Sequence, residues 1–254
     1  TIDPVKDYRA VVVFKGENLS EALTDSDPGQ TGLPPEPVEP RVSGDPNAER
    51  TARIANTFIR QAREILRDLA PTNSILMRGF AHPVYLAAMQ EVYKLKAGAI
   101  ATYPMYRGVA SLVGMAVLDD AGETIADEFA CLEKHFDQYD LFFLHIKKTD
   151  SYGEDGNWDR KVHVIEEGDA QIPRARALGP AVVCVTADHS TPCVLKAHSW
   201  HPVPVVLWSK WGRRDGVEAF GETACACGGL GRQRGIHLMP MLVAHALGFG
   251  KYGA

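Results

Sequence analysis

The stretch Ala181–Leu207, AVVCVTADHSTPCVLKAHSWHPVPVVL, decides the fold. It opens with Ala181–Val185, a short apolar run rich in β-branched residues and too brief for a typical helix, which predicts a buried strand. The run ends at Thr186-Ala187-Asp188-His189. In an open α/β sheet, ligands gather just beyond the carboxyl ends of strands, and Asp and His are both metal-ligand types. A third ligand type, His198, follows in the same loop, and a second apolar run, Val203–Trp208, predicts another strand. Strand, Asp-His, loop, His, strand outlines a metal site at a sheet edge. An Asp-His pair alone is more often a turn with a surface histidine, and with His198 included the two readings balance. The metal reading gains from a second strand end: Tyr139–Ile146 has a buried-strand pattern, and the predicted loop after it, Lys147–Glu154, carries Asp150 and Glu154.

Outward from these two loops, the chain alternates apolar runs with helical patterns. Ala97–Ala101 predicts a strand, Tyr106–Val113 a helix stopped by Gly114, Met115–Leu118 a strand, and Asp127–Phe136 and residues 157–170 helices. Arg107, in the first turn of its helix, can hold an anion together with backbone N–H groups, or form a structural ion pair. Before these, Tyr8–Phe14 predicts a strand and Ala48–Leu69 a helix, with Ile54, Phe58, Ala62, Ile65, Leu66 and Leu69 on one face. Ser74–Met77 is a short strand candidate. Residues 17–46 carry turn chemistry throughout and read either as a functional loop or as a solvated linker. The late segment ends in an apolar helix. The alternation predicts an α/β fold with a mainly parallel sheet and helices on both faces.

Composition narrows the function classes. The 254 residues suffice for one large domain, or one plus a smaller module. A hydrophobic fraction of 45% with 23% charged residues is ordinary for a soluble globular chain. A net charge of −5 gives no basis for a nucleic-acid or anionic-membrane partner. No apolar stretch approaches the ~20 residues of a membrane span, and no signal peptide is recognisable. The five cysteines are odd in number and lack a framework spacing, which predicts reduced thiols in a cytoplasm. Cys131 falls in a predicted helix; Cys225-Ala226-Cys227 is an isolated pair and a weak metal or redox signal. The histidines His135 and His163 are expected on helix surfaces, His145 inside a strand and His245 on the tail helix, with His201 near the site. The chain opens on Thr1 and enters an apolar run almost at once, as the middle of a protein would.

Several of these motifs together resemble one family. Thr186-Ala-Asp-His-Ser-Thr-Pro192, Lys196-Ala-His-Ser199 and Pro202-Val-Pro204 are similar to the cofactor-independent phosphoglycerate mutases of the archaeal type, within the alkaline-phosphatase superfamily. So are Tyr8-Arg9, Thr24–Gly29, Ala97–Gly114, Gly229–Gly235, Leu238-Met-Pro240 and the closing Lys251–Ala254. The resemblance covers essentially the whole chain. It implies an alkaline-phosphatase-like core, with residues 1–75 the remainder of an inserted α+β substrate-binding module and 76–254 the C-terminal half of the core. It also implies an N-terminal segment, carrying a metal-binding Asp and the serine that becomes phosphorylated, before Thr1.

By position, Asp188 and His189 resemble ligands of one metal, and Asp150 and His198 ligands of the second. The family has a histidine four residues after the position of Asp150, where this chain has Glu154. A carboxylate still ligates Mn²⁺, Mg²⁺ or Zn²⁺, but it adds charge and hardens the ligand set. The implied cofactors are therefore two divalent ions, with Mn²⁺ preferred. Arg9 and Arg107 are the candidate substrate-binding residues, as bidentate clamps for carboxylate or phosphate. The implied activity is phosphoryl transfer between 2-phosphoglycerate and 3-phosphoglycerate. Its partners are a small phosphorylated metabolite and the N-terminal segment or a second chain carrying Asp and Ser, with a homo-oligomer as a further arrangement. Two alternatives stay open: a phosphohydrolase or phosphotransferase of the same superfamily acting on another phosphoester or phosphonate, and a non-catalytic subunit that binds a phosphorylated metabolite.

Overall fold

The structure, a computed structural model, describes residues 1–6 and 8–249. The C-terminal motif Lys251–Ala254 lies outside the described residues. The chain forms two compact units, residues 1–85 and the remainder from Leu86 onward.

In the first unit, β1 (Ile2–Lys6) and β2 (Arg9–Val12) pair antiparallel, with Ile2 opposite Val12. The predicted strand at Tyr8–Phe14 is thus shorter than expected and one arm of a hairpin. Helix α1 (Pro46–Leu66) starts where its first turn is capped. The Asp45 carboxylate accepts from the Asn47 and Ala48 amides, and Pro46 occupies a position whose N–H would have no partner. The buried stripe is Ala48, Thr51, Ala52 and Ala55, while Ile65 is exposed. The expected face was read from the large apolar residues; small ones face inward because residues 17–45 pack closely there. Leu23 and Val38 of that segment are buried against α1, and Leu23 bridges Pro40. The segment is therefore neither a solvated linker nor free of tertiary contacts. Ser74–Met77 forms no strand: the Met77 amide donates to Ser26 Oγ (2.7 Å) and its carbonyl accepts from the Ser26 amide (2.8 Å), so a side chain takes the place of a ladder.

The second unit opens with α2 (Met89–Tyr93), then β3 (Ala97–Ala101), α3 (Pro104–Leu112), β4 (Ala116–Val117), α4 (Ile125–His135), β5 (Leu141–His145), α5 (Lys148–Glu154) and α6 (Trp158–Ala177). The parallel sheet has the order β4-β3-β5, with Gly98 opposite Phe142 and Ala101 opposite His145. Alternation puts Gly98, Ile100, Phe142 and Leu144 on one face, where α4 and α6 supply Ile125, Phe129, Leu132 and Val164 to the core. On the other face Tyr106 of α3 stacks on His145, with 3.5 Å between ring centroids. Gly98 leaves room for the Tyr139 ring, from which a Cβ would stand 3.2 Å. Helix α6 runs beyond residue 170 through Pro173, and it turns Val164 and Gly168 inward while Ile165 is 53% exposed.

Strands β6 (Val182–Val185) and β7 (Val206–Ser209) pair antiparallel, Val185 opposite Val206. The second starts later than Val203 because Pro202 and Pro204 have no N–H to give a ladder. Helices α7 (Glu222–Cys225) and α8 (Leu238–His245) follow. No helix among the described residues is long and apolar enough to cross a membrane.

Candidate metal centre

The chain after β5 does not form the predicted loop. Lys148–Glu154 is α5, so Asp150 and Glu154, four residues apart, project from one helix face. Opposite them, the connection between β6 and β7 folds back on itself through a bridge between Ser190 and Ser199. That bridge brings His189 and His198 together with 3.8 Å between ring centroids.

The two segments meet at the carboxyl end of β5. His198 Nε2 lies 3.4 Å from Asp150 Oδ1 and 3.6 Å from Glu154 Oε1. His189 Nδ1 lies 3.9 Å from Asp150 Oδ1, and its Nε2 lies 3.6 Å from Asp188 Oδ2. One ligand atom each from Asp150, His189 and His198 falls within 4.8 Å of the others. Ligands bound at about 2.0–2.2 Å to one tetrahedral ion stand roughly 3.3–3.6 Å apart. The His198–Asp150 and His198–Glu154 distances have that spacing already, and His189, at 3.9 Å from Asp150, needs only a small inward shift, so the residues present fit a divalent cation. His189 lies near both Asp150 and Asp188, so the two expected ligand groups adjoin one another.

Other side chains hold this cluster in place. Thr191 Oγ1 donates to Asp150 Oδ1 at 2.6 Å and lies 3.1 Å from His189 Nδ1. Lys161 Nζ donates to the Thr191 carbonyl at 2.7 Å. The Lys147 ammonium pairs with the other Asp150 oxygen. Burial opposes ionisation of Asp150, whose side chain is 14% exposed, but Lys147 and Thr191 outweigh it and hold the carboxyl below the usual range. Tyr106 donates to Asp188 Oδ2 at 3.1 Å; burial, then the Asp188 charge, pushes its phenol well up. Burial pushes the stacked His145 imidazole below its ordinary range. Gly153 lets α5 reach the loop, because a Cβ there would collide with the Thr191 carbonyl and stand 2.9 Å from its Cγ2.

Arg107 is engaged elsewhere: its guanidinium pairs with Asp119 and lies 3.4 Å from the carbonyls of Ala101 and Leu118. Arg9, in the first unit, lies over the Tyr8 ring at 4.8 Å. Ser190 donates to the His201 carbonyl and Ser199 Oγ lies 2.9 Å from His201 Nδ1. Sequence reasoning missed Lys147, Thr191 and Tyr106. Their one visible signal was position, each within a few residues of a strand end or a ligand.

Comparison with known proteins adds to this geometry. Residues 70–245 match the model of the metalloenzyme superfamily. The chain belongs to the metalloenzyme superfamily. Beside the superfamily match, residues 1–73 match the model of 2,3-bisphosphoglycerate-independent phosphoglycerate mutase. A Thermotoga maritima protein named a probable 2,3-bisphosphoglycerate-independent phosphoglycerate mutase is 48% identical over 254 residues, covering 100% of this chain and 62% of that protein. A Thermus thermophilus protein of the same name is 47% identical over 250 residues, 98% of this chain and 61% of that protein. The chain thus spans about three fifths of the curated relatives it matches. Among solved structures, a Pyrococcus horikoshii protein superposes with a TM-score of 0.73 at 30% identity, over 84% of this chain and 61% of its own. The cofactor-independent phosphoglycerate mutase of Thermoplasma acidophilum gives 0.60 at 29% identity, over 91% and 61%. The α/β fold with its parallel sheet and flanking helices agrees with superfamily membership.

Proposed function

We propose that the chain supplies the metal-binding part of a phosphoglycerate mutase, which interconverts 2-phosphoglycerate and 3-phosphoglycerate by metal-dependent phosphoryl transfer. One observation carries the reading: Asp150, Glu154, His189 and His198 converge in a chain similar over its whole length to proteins named probable mutases. Two divalent cations, Mn²⁺ in preference to Mg²⁺ or Zn²⁺, would when bound neutralise the charge that phosphoryl transfer spreads over the equatorial oxygens. Asp150, Glu154 and His198 would hold one and Asp188 with His189 the other. Thr191 fixes the Asp150 carboxylate and the His189 ring toward a common point, and Tyr106 aims Asp188. Arg9 would clamp a carboxylate or phosphate, and Arg107 would do so by exchanging Asp119 for substrate.

The nucleophilic serine belongs to a segment outside these 254 residues. Ser190 and Ser199 are tied to His201, and Ser151 lies within α5. We assign residues 1–75 to a substrate-binding module and 76–254 to the metal-binding core, and place the protein in the cytoplasm. Glu154 supports a second reading, a phosphohydrolase or phosphotransferase of the same superfamily, because it hardens the ligand set.

The test mixes the chain with the N-terminal segment of the Thermotoga maritima relative and Mn²⁺. The expected result is 2-phosphoglycerate turnover to 3-phosphoglycerate in the mixture alone, lost in Asp150→Asn. Free phosphate without isomerisation would decide for the hydrolase. Mutase turnover by the pure chain would overturn the assignment of the nucleophile.

A further inference from the structure

Outside that centre, a second group of ligand-type side chains meets on α4. Cys131 and His135 are four residues apart and share one face of the helix, and Asp120, in the turn after β4, faces them. His135 Nε2 is 3.1 and 3.0 Å from the two Asp120 oxygens, and Cys131 Sγ is 3.4 Å from Oδ1. One ligand atom from each lies within 4.8 Å of the others. Sequence reasoning put His135 on a helix surface and gave Cys131 no role; no residue spacing links Asp120 to them.

We propose that Asp120, Cys131 and His135 form a second metal site, one that takes zinc. Thiolate, imidazole and carboxylate are the three zinc-ligand types, and three protein ligands leave one position for water. Bonds of about 2.3 Å to sulfur and about 2.0–2.2 Å to nitrogen and oxygen hold ligand atoms roughly 3.3–3.7 Å apart. The sulfur–oxygen distance already meets this, and the nitrogen–oxygen contacts open by a few tenths of an ångström. Cys131 is 3% exposed and so shielded from solvent, while the Asp120 side chain, 40% exposed, gives the ion a way in. The soft thiolate separates this site from the Asp150 cluster, which has only oxygen and nitrogen ligands, so zinc is drawn here and harder ions there.

The ion-free arrangement is the competitor. Lys134 Nζ donates to Asp120 Oδ2 at 2.5 Å, and burial, followed by Asp120, pushes the Cys131 thiol up to about 11. Zinc displaces the Lys134 ammonium from Asp120, releases the Cys131 thiol proton to solvent, and takes the His135 Nε2 lone pair once the proton that nitrogen shares with Asp120 has moved to Nδ1 or to solvent. The bound ion ties the last turn of α4 to the turn after β4, beside the core residues Phe129 and Leu132.

The experiment is a Co²⁺ titration of the reduced 254-residue chain, followed by thiolate-to-metal charge-transfer absorption. No ligand of the Asp150 cluster is a thiol, so the band reports this site even if the reading of that cluster fails. The band should grow with Co²⁺, be quenched by Zn²⁺ and vanish in Cys131→Ser. Asp120→Asn and His135→Gln should each weaken Co²⁺ by at least the roughly 10–100-fold that loss of an outer-shell partner costs, and Lys134→Met should tighten it. The band should survive in His198→Gln and in the double variant Cys225→Ser, Cys227→Ser. Absence of the band in the wild type, its persistence in folded Cys131→Ser, or its loss in the Cys225/Cys227 variant overturns the site. If Cys131→Ser does not fold, unchanged Co²⁺ affinity in both Asp120→Asn and His135→Gln does so.

Discussion

At the residue scale, the proposed metal preference turns on Glu154. Its carboxylate stands 3.6 Å from His198 Nε2 and its side chain is 52% exposed, so it can swing onto an ion without displacing core. Replacing it by the softer imidazole, Glu154→His, should shift preference from Mn²⁺ toward Zn²⁺ in an equilibrium competition; an unchanged ratio would make Glu154 a bystander. Glu128 makes a separate, pH-dependent prediction. It is 3% exposed, and burial, then Asp127, raises its carboxyl to about 7. The folded chain therefore holds this proton more tightly than the unfolded chain. The associated stability is present below the ordinary carboxyl range and is lost as pH rises through about 7. Glu128→Gln should thus gain about 1–3 kcal/mol at mildly alkaline pH and nothing in acid, read from urea unfolding across pH. Equal pH slopes for both proteins would contradict it. The convergence of Asp150, His189 and His198 was legible because ligand types just past strand ends stand out in a sequence. Thr191 and Tyr106 were not, since a hydroxyl is common in turns and acquires its role only from the partner it meets.

At the scale of elements, the site is a helix set against a folded-back loop. Gly153 allows that contact, so Gly153→Ala should force α5 away from the Thr191 carbonyl. A cost of about 1–3 kcal/mol in stability is expected from such overpacking, with weaker Mn²⁺ binding in calorimetry. Wild-type affinity and melting temperature together would show that the contact yields freely. Helix α5 was not visible in the sequence because Lys-Thr-Asp-Ser-Tyr-Gly-Glu has turn composition and no apolar period; its tertiary contacts override that preference. Strand β3 was read at its observed bounds, Ala97–Ala101, since a wholly apolar run of that length in a parallel sheet has little else to be. The stripe of α1 was misplaced because large apolar residues mark burial only where the facing surface leaves them room.

At the scale of the molecule, the chain covers 62% of its Thermotoga maritima relative. If the nucleophile lies in the remaining part, adding that part should raise the melting temperature as well as restore turnover, because a segment that binds the folded state stabilises it by mass action. Turnover without stabilisation would mean a transient encounter. The proposed function depends on whether the converging carboxylates and imidazoles hold an ion. The direct measurement is an anomalous difference map from crystals of the chain grown with Mn²⁺, collected at the manganese edge. A peak about 2.0–2.4 Å from Asp150, Glu154 and His198 is predicted, with the Lys147 ammonium moved off Asp150 to admit it. A map with no peak there at saturating Mn²⁺, and Lys147 still paired with Asp150, would contradict it.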